Sequence, residues 1–189
     1  MATGKPLFVE DRSLFYDPLV PREKLLILGG GHVGRALAAL APALGFRVTV
    51  VDDRPEFASG ARFPEGVRVL HQDFEQAIAG FPCNASTYVL VVSRGHRSDL
   101  ACVRALLARP WRYCGCMGSA RKVRMILDQL LQEGADPARI AELWAPVGLD
   151  IGAETPAELA VAILGELVAV RRNAGILGSL RQSLEARRL

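Results

Sequence analysis

Apolar positions fall into two alternating rhythms along the chain: short unbroken runs, and stripes that recur at helical spacing. Leu25-Leu26-Ile27-Leu28, after Lys24, is the first run, and Gly29-Gly30-Gly31 ends it. A continuous run of this length suits a strand buried on both faces, as in a parallel sheet. Val33, Leu37, Leu40 and Leu44 follow at spacings of 4, 3 and 4, which predicts a helix closed by Gly45. Pro42 should bend or shorten its last turn. Arg47 to Val51 is a second β-branched run ending at Asp52. Val67 to Leu70 predicts a short third strand, with a weak helix around Glu75 to Ala79. Thr87 to Val92 is a strong strand, and Leu100, Val103 and Leu107 mark the helix after it. Trp111 to Met117 reads as another strand, followed by a helical stripe of Val123, Ile126, Leu127, Leu130 and Leu131 that stops at Gly134.

The last helix has the best-marked start. Thr155-Pro156-Ala157-Glu158 supplies a cap, a proline at the first helical position and a glutamate three residues past the cap. Its apolar face is predicted as Leu159, Ile163, Leu167 and Val170, with Arg171 and Arg172 favourably placed in the final turn. Strands alternating with helices predict an α/β fold, a Rossmann-like doubly wound parallel sheet with helices on both faces. The domain spans 24–172, after an N-terminal extension over 1–23 and before a C-terminal tail over 173–189 that is mobile or docked on a partner. In the extension, Leu7-Phe8-Val9 and Leu14-Phe15-Tyr16 suggest a hairpin on a sheet edge or a second subunit.

Composition narrows the class without choosing a function. With 189 residues, half of them hydrophobic and 23% charged, the chain can bury a core and is neither disordered nor coiled coil. No apolar run approaches the ~18 residues of a membrane span. The start, MATGKPLFVEDRS, has no basic-then-apolar leader. A net charge of +3 is too small to imply nucleic acid. Cys83, Cys102, Cys114 and Cys116 contain no C-x-x-C pair. A cytoplasmic protein, bound to neither membrane nor nucleic acid and assembled as a homodimer, is the expectation.

Candidate chemistry gathers at the ends of the predicted strands. Gly29-Gly30-Gly31-His32-Val33-Gly34 matches G-x-G-x-x-G between a buried strand and a helix, the context that makes the match informative. Bare backbone there can approach a pyrophosphate, whose charge meets the helix N-terminus. The bland alternative is a turn kept for packing. Asp52, or Asp53 beside it, would accept hydrogen bonds from a ribose, and Arg54 would tolerate a 2′-phosphate, leaving NAD and NADP open. Arg121 and Lys122 follow Gly118-Ser119 in a helix's first turn, where cations oppose the dipole; a bound anion would offset that, whereas side chains turned to water would need none. In a parallel sheet these loops share one edge, which would gather His32, Arg35, Asp52, Asp53, Arg54, Arg94, His96, Arg97, Asp99, Ser119, Arg121 and Lys122. Such a rim suits a phosphate-bearing ligand.

The three histidines have no zinc-ligand spacing, and no metal site is expected. Cys114 and Cys116 share a strand face, either as small buried residues or as a sulfur- or metal-handling pair. Pro146 to Pro156, dense in Gly and acid, contains Gly148, Asp150, Gly152 and Thr155 and suggests a tight path beside a ligand or another chain; a plain connecting loop fits equally well.

Five segments, LLILGGGHVGRALA, VTVVDDRPEFA, VVSRGHRSDL, YCGCMGSARKV and PVGLDIGAETPAELA, together resemble the Rossmann domain of the XdhC family, the xanthine dehydrogenase accessory proteins. The resemblance runs from about Pro21 to Arg172. It implies a maturation factor for a molybdenum hydroxylase that binds the molybdenum cofactor, supports its sulfuration with a cysteine desulfurase and delivers it to the apo-enzyme. Such a factor is a cofactor chaperone without turnover of its own. The family commonly carries another domain before this one, aliphatic residues at the positions of Cys114 and Cys116, and a second arginine at that of Ala120. The competing readings are an NAD(P)-dependent oxidoreductase, for which no Tyr-x-x-x-Lys pair is present, and a regulatory module that senses NAD(H).

Overall fold

The computed structural model describes residues 7–9, 14–16, 22–175 and 178–182. Seven strands are β1 (Leu7–Val9), β2 (Leu14–Tyr16), β3 (Lys24–Leu28), β4 (Arg47–Asp52), β5 (Arg68–His71), β6 (Thr87–Val91) and β7 (Tyr113–Cys116). Six helices are α1 (His32–Leu40), α2 (Phe74–Gly80), α3 (His96–Leu107), α4 (Ala120–Gln132), α5 (Pro137–Ala141) and α6 (Pro156–Arg172).

β3 to β7 form one sheet in the order β5-β4-β3-β6-β7, every pair parallel. The chain winds outward from β3 through β4 to β5, then restarts on the other side with β6 and β7. The crevice between β3 and β6 is therefore the topological switch point, the usual ligand position in such sheets.

Side-chain alternation along the strands feeds two cores. Leu26, Leu28, Val89, Val91, Cys114 and Cys116 face α2, α3 and α4. Leu25, Ile27, Val48, Val50, Leu90 and Tyr113 face α1 and α6. Both faces are covered, so the strands read as continuous apolar runs.

The predicted elements are present, with boundaries set by local chemistry. Pro42 ends α1 as expected: the helix tightens into a 3₁₀ turn over Ala41–Leu44, and Gly45 closes it in the left-handed conformation at φ 86°. α2 starts earlier than expected because the Asp73 side chain caps it by accepting from Gln76 N. α5 carries no apolar stripe that would predict it; Asp136 caps it and Pro137 occupies its first turn. The buried face of α6 is broader than the predicted stripe, taking in Ala160, Ala162, Leu164 and Glu166, while Leu159 and Val170 are only half-buried.

β1 and β2 do form an antiparallel hairpin, as a two-stranded sheet of its own. The residues between them, 10–13, lie outside the described residues. Part of the tail is docked on its own chain: the amide of Asp150 donates to Gly178 O at 2.6 Å, and that of Leu180 to Gly148 O at 3.0 Å. Among the described residues, no helix is long and apolar enough to cross a membrane.

Candidate functional site

Each glycine of the G-x-G-x-x-G turn has its own reason. Gly29 sits at φ 124°, and a Cβ there would lie 2.5 Å from Val92 O at the end of β6. A Cβ on Gly34 would lie 1.9 Å from Gly29 O, so its bareness lets α1 close on β3. Gly31 is different: a Cβ would meet nothing within 4 Å. Packing does not require that glycine. It leaves backbone open to a guest, the role expected of the middle glycine in a phosphate turn. Gly31 also starts α1, with no side-chain cap and no acid in the first turn. The amides of that turn are unsatisfied within the helix and carry its positive dipole end. Val33 is half-buried, whereas His32 and Arg35 are exposed beside the turn.

Asp52 has a different role from the one expected. It is fully buried. Its Oδ2 accepts from Gly30 N at 2.8 Å and from the Arg54 guanidinium at 3.0 Å. Its Oδ1 accepts from Arg54 N at 3.0 Å and Arg54 Nε at 2.9 Å. Burial opposes ionisation, but these bonds outweigh it and hold the carboxyl below its ordinary range. Asp52 thus braces the glycine turn instead of presenting itself to a ribose. Arg54, expected beside a 2′-phosphate, is paired with Asp52 and lies 3.7 Å from the centroid of the Phe57 ring. Asp53 is exposed at the rim.

Across the switch point, Ser93 abuts Gly29, with its Cα 2.9 Å from the position a Gly29 Cβ would take. Its hydroxyl donates to Asp99 Oδ1 at 2.5 Å. Asp99, buried in the first turn of α3, is ion-paired with Lys122 of α4. Burial raises the Asp99 pKa above the ordinary carboxylate value, and the bonds from Lys122 and Ser93 only partly counter it.

This pairing corrects the expectation for Lys122. Its side chain runs inward along Gly118, where a Cβ would lie 3.0 Å from Lys122 Cδ. Its ammonium is matched by Asp99, which removes the need for an anion there. Arg121 remains exposed, and Ser119 caps α4 by accepting from Lys122 N at 3.3 Å. Arg94 and Arg97 are exposed, and His96 is half-buried with its Nδ1 shielded and unpartnered.

The Gly-rich segment after α5 extends the same edge. Trp144 bridges Gly115 in parallel fashion, and Val147 N donates to Cys116 O at 3.1 Å, so the chain runs beside β7. Gly148, at φ 107°, donates its amide to Glu166 Oε1 at 3.0 Å. Glu166 is fully buried on α6 and also accepts from the Tyr113 hydroxyl at 2.5 Å and the Ser179 hydroxyl at 2.6 Å. Gly148 is therefore structural. Asp150 and Gly152 are exposed, as is Thr155, which completes a capping box with Glu158.

The thiols of Cys114 and Cys116 face the core. Burial pushes Cys116 up to about 12 and Cys114 higher still, so both pack as neutral, small apolar groups. Among the described residues, no three His, Cys, Asp or Glu side chains gather as metal ligands.

Parallel strands thus bring the glycine turn, the Asp52–Arg54 pair and Ser93 together at the switch point. The Asp99–Lys122 pair joins α3 to α4 farther along the same edge, where Ser119 caps α4. Sequence reasoning missed Phe57, Arg62, Ser93 and Glu166 as parts of this edge. Ser93 stood one residue past a clear strand; the others sit in segments whose polarity gives no hint of their contacts.

A family model described as the XdhC Rossmann domain matches residues 25–167. The "Uncharacterized protein YqeB" of Escherichia coli K12 is 36% identical over 163 residues, covering 86% of this chain and 30% of that protein. A Bacillus subtilis 168 protein, named as a probable xanthine dehydrogenase subunit, is 28% identical over 172 residues, 91% of this chain and 50% of that protein. A crystal structure titled as a xanthine dehydrogenase from Bacillus halodurans superposes with a TM-score of 0.73 at 26% identity, over 87% of this chain and 50% of that one. The chain therefore spans half or less of the length of these relatives.

Proposed function

Because the chain belongs to the XdhC Rossmann-domain family, we propose that it is an accessory factor in the maturation of a molybdenum hydroxylase of the xanthine dehydrogenase kind. In this role it holds a phosphate-bearing ligand, the molybdenum cofactor or a dinucleotide such as NAD(P), and assists cofactor sulfuration or insertion. Its partners are the apo-hydroxylase and a cysteine desulfurase, and it works as a homodimer. Molybdenum is cargo in this scheme, destined for the hydroxylase.

The observation that carries the reading is the open backbone at Gly31 in front of an uncapped helix, at the switch point of the sheet. These residues fit a phosphate: amides that need an acceptor, a positive dipole end, and room for the group. The arginines exposed along the edge, Arg35, Arg94, Arg97 and Arg121, add a field that draws an anion towards it. The chain's own contribution is to bind and orient. The buried thiols and Asp52, whose oxygens are all taken by its own chain, offer no nucleophile or ribose-reading acid, which favours a chaperone over an oxidoreductase.

The test is genetic and enzymatic. Cells lacking this chain should accumulate hydroxylase protein of normal abundance but with most of its activity missing, restored when the chain is supplied again. Fully active, fully sulfurated hydroxylase in the deletion strain would overturn the accessory role.

A further inference from the structure

The loop after β4 folds back over the glycine turn. A Cβ on Gly30 would lie 2.4 Å from Phe57 O and 3.4 Å from the Phe63 ring, so this segment roofs one side of the turn while Gly31 stays open. Phe57 carries two guanidinium groups, Arg54 at 3.7 Å and Arg62 at 4.8 Å from its ring centroid. Beneath them Asp52 accepts four hydrogen bonds, all from Gly30 and Arg54. An ionised carboxylate offers about four lone-pair sites. Asp52 is therefore saturated by its own chain, and the ribose hydroxyls that an acid at this position would read find no acceptor on it.

Arg62 stands apart from Arg54. Among the described residues it forms no ion pair; its Nη2 reaches Gly30 O only at 3.5 Å, and its Nε is shielded from water without a partner. A shielded guanidinium N–H is costly to leave unsatisfied, and its fork geometry matches a phosphate.

We infer that residues 53–62 are a built-in occupant of the ground where an adenosine would lie, and that the open side of the turn takes a compact phosphate monoester met by Arg62. The inference rests on the phosphate-binding reading above and narrows it, setting a dinucleotide aside.

Titration calorimetry on the full chain at low salt tests this with ribose 5-phosphate and ADP-ribose as probes. The two should bind native protein within about threefold of each other, because the adenosine adds no contact. Arg62→Ala should weaken ribose 5-phosphate by about tenfold, the loss of one charge-assisted contact. Arg54→Ala should free Asp52 of two of its four hydrogen bonds, those from the guanidinium, and tighten ADP-ribose selectively, with circular dichroism confirming that each variant is folded. ADP-ribose binding at least about tenfold tighter than ribose 5-phosphate in native protein would overturn the inference. So would unaltered binding in Arg62→Ala, or no binding of ribose 5-phosphate at all. The accessory role is judged by hydroxylase activity in cells, a measurement that involves neither probe, so the two ideas can fail separately.

Discussion

At the scale of single residues, three glycines that look alike in the sequence do unlike work, and substitution should separate them. Gly34→Ala places a methyl 1.9 Å from a backbone oxygen that cannot move without breaking the turn. The expected cost is about 3 kcal/mol or more, in the range of severe overpacking, measured by urea unfolding. Gly31→Ala meets open space and loses only a glycine cap, so it should cost no more than about 1 kcal/mol while abolishing phosphate binding. The motif was legible because its context of strand, turn and helix was legible. The individual reasons were not: that of Gly29 depends on Val92 and Ser93, which fold in from the end of β6, and that of Gly34 on how closely α1 returns to Gly29 O.

At the scale of elements, the sheet and its helices could be read from periodicity because burial on both faces leaves continuous apolar strands and striped helices. What periodicity could not convey is a polar residue turned inward. Glu166 falls within α6, where a glutamate would ordinarily face water, yet it ties together β7, α6, the loop at Gly148 and the segment at Ser179. Glu166→Gln keeps the shape but replaces one acceptor oxygen with a donor. It should cost about 2 kcal/mol and speed amide exchange at Gly148 and Leu180 before that of the central strands. Equal protection at those amides in native and variant protein would show that the carboxylate does not hold the loop. Lys122 makes the same point for charge: its position at a helix start suggested an anion, and the anion is Asp99 of the neighbouring helix.

For the molecule as a whole, the two buried carboxylates at the rim pull the pH dependence of stability in opposite directions. Asp52 has a folded pKa below its ordinary value of 3.8, so its contribution is present above that value and is lost as pH falls through the folded pKa. Asp99 has a folded pKa above the same ordinary value, so its contribution is fully present below it and is lost as pH rises through the folded pKa. Asp52→Asn should therefore destabilise at pH 7 by about 3 kcal/mol, with the deficit shrinking in acid. Asp99→Asn should cost clearly less, since it relieves a burial penalty and leaves Lys122 able to reach water. Urea midpoints across the acid range would reveal it, and equal losses for the two variants would contradict the opposed shifts.

The docked stretch near the C-terminus has a practical consequence. To anyone trimming the gene, everything past Asn173 looks expendable, a frayed end after a finished helix. Cutting there would withdraw the Ser179 hydroxyl from inside the protein, and the damage would surface on the far side of α6, in the loop at Gly148 beside β7.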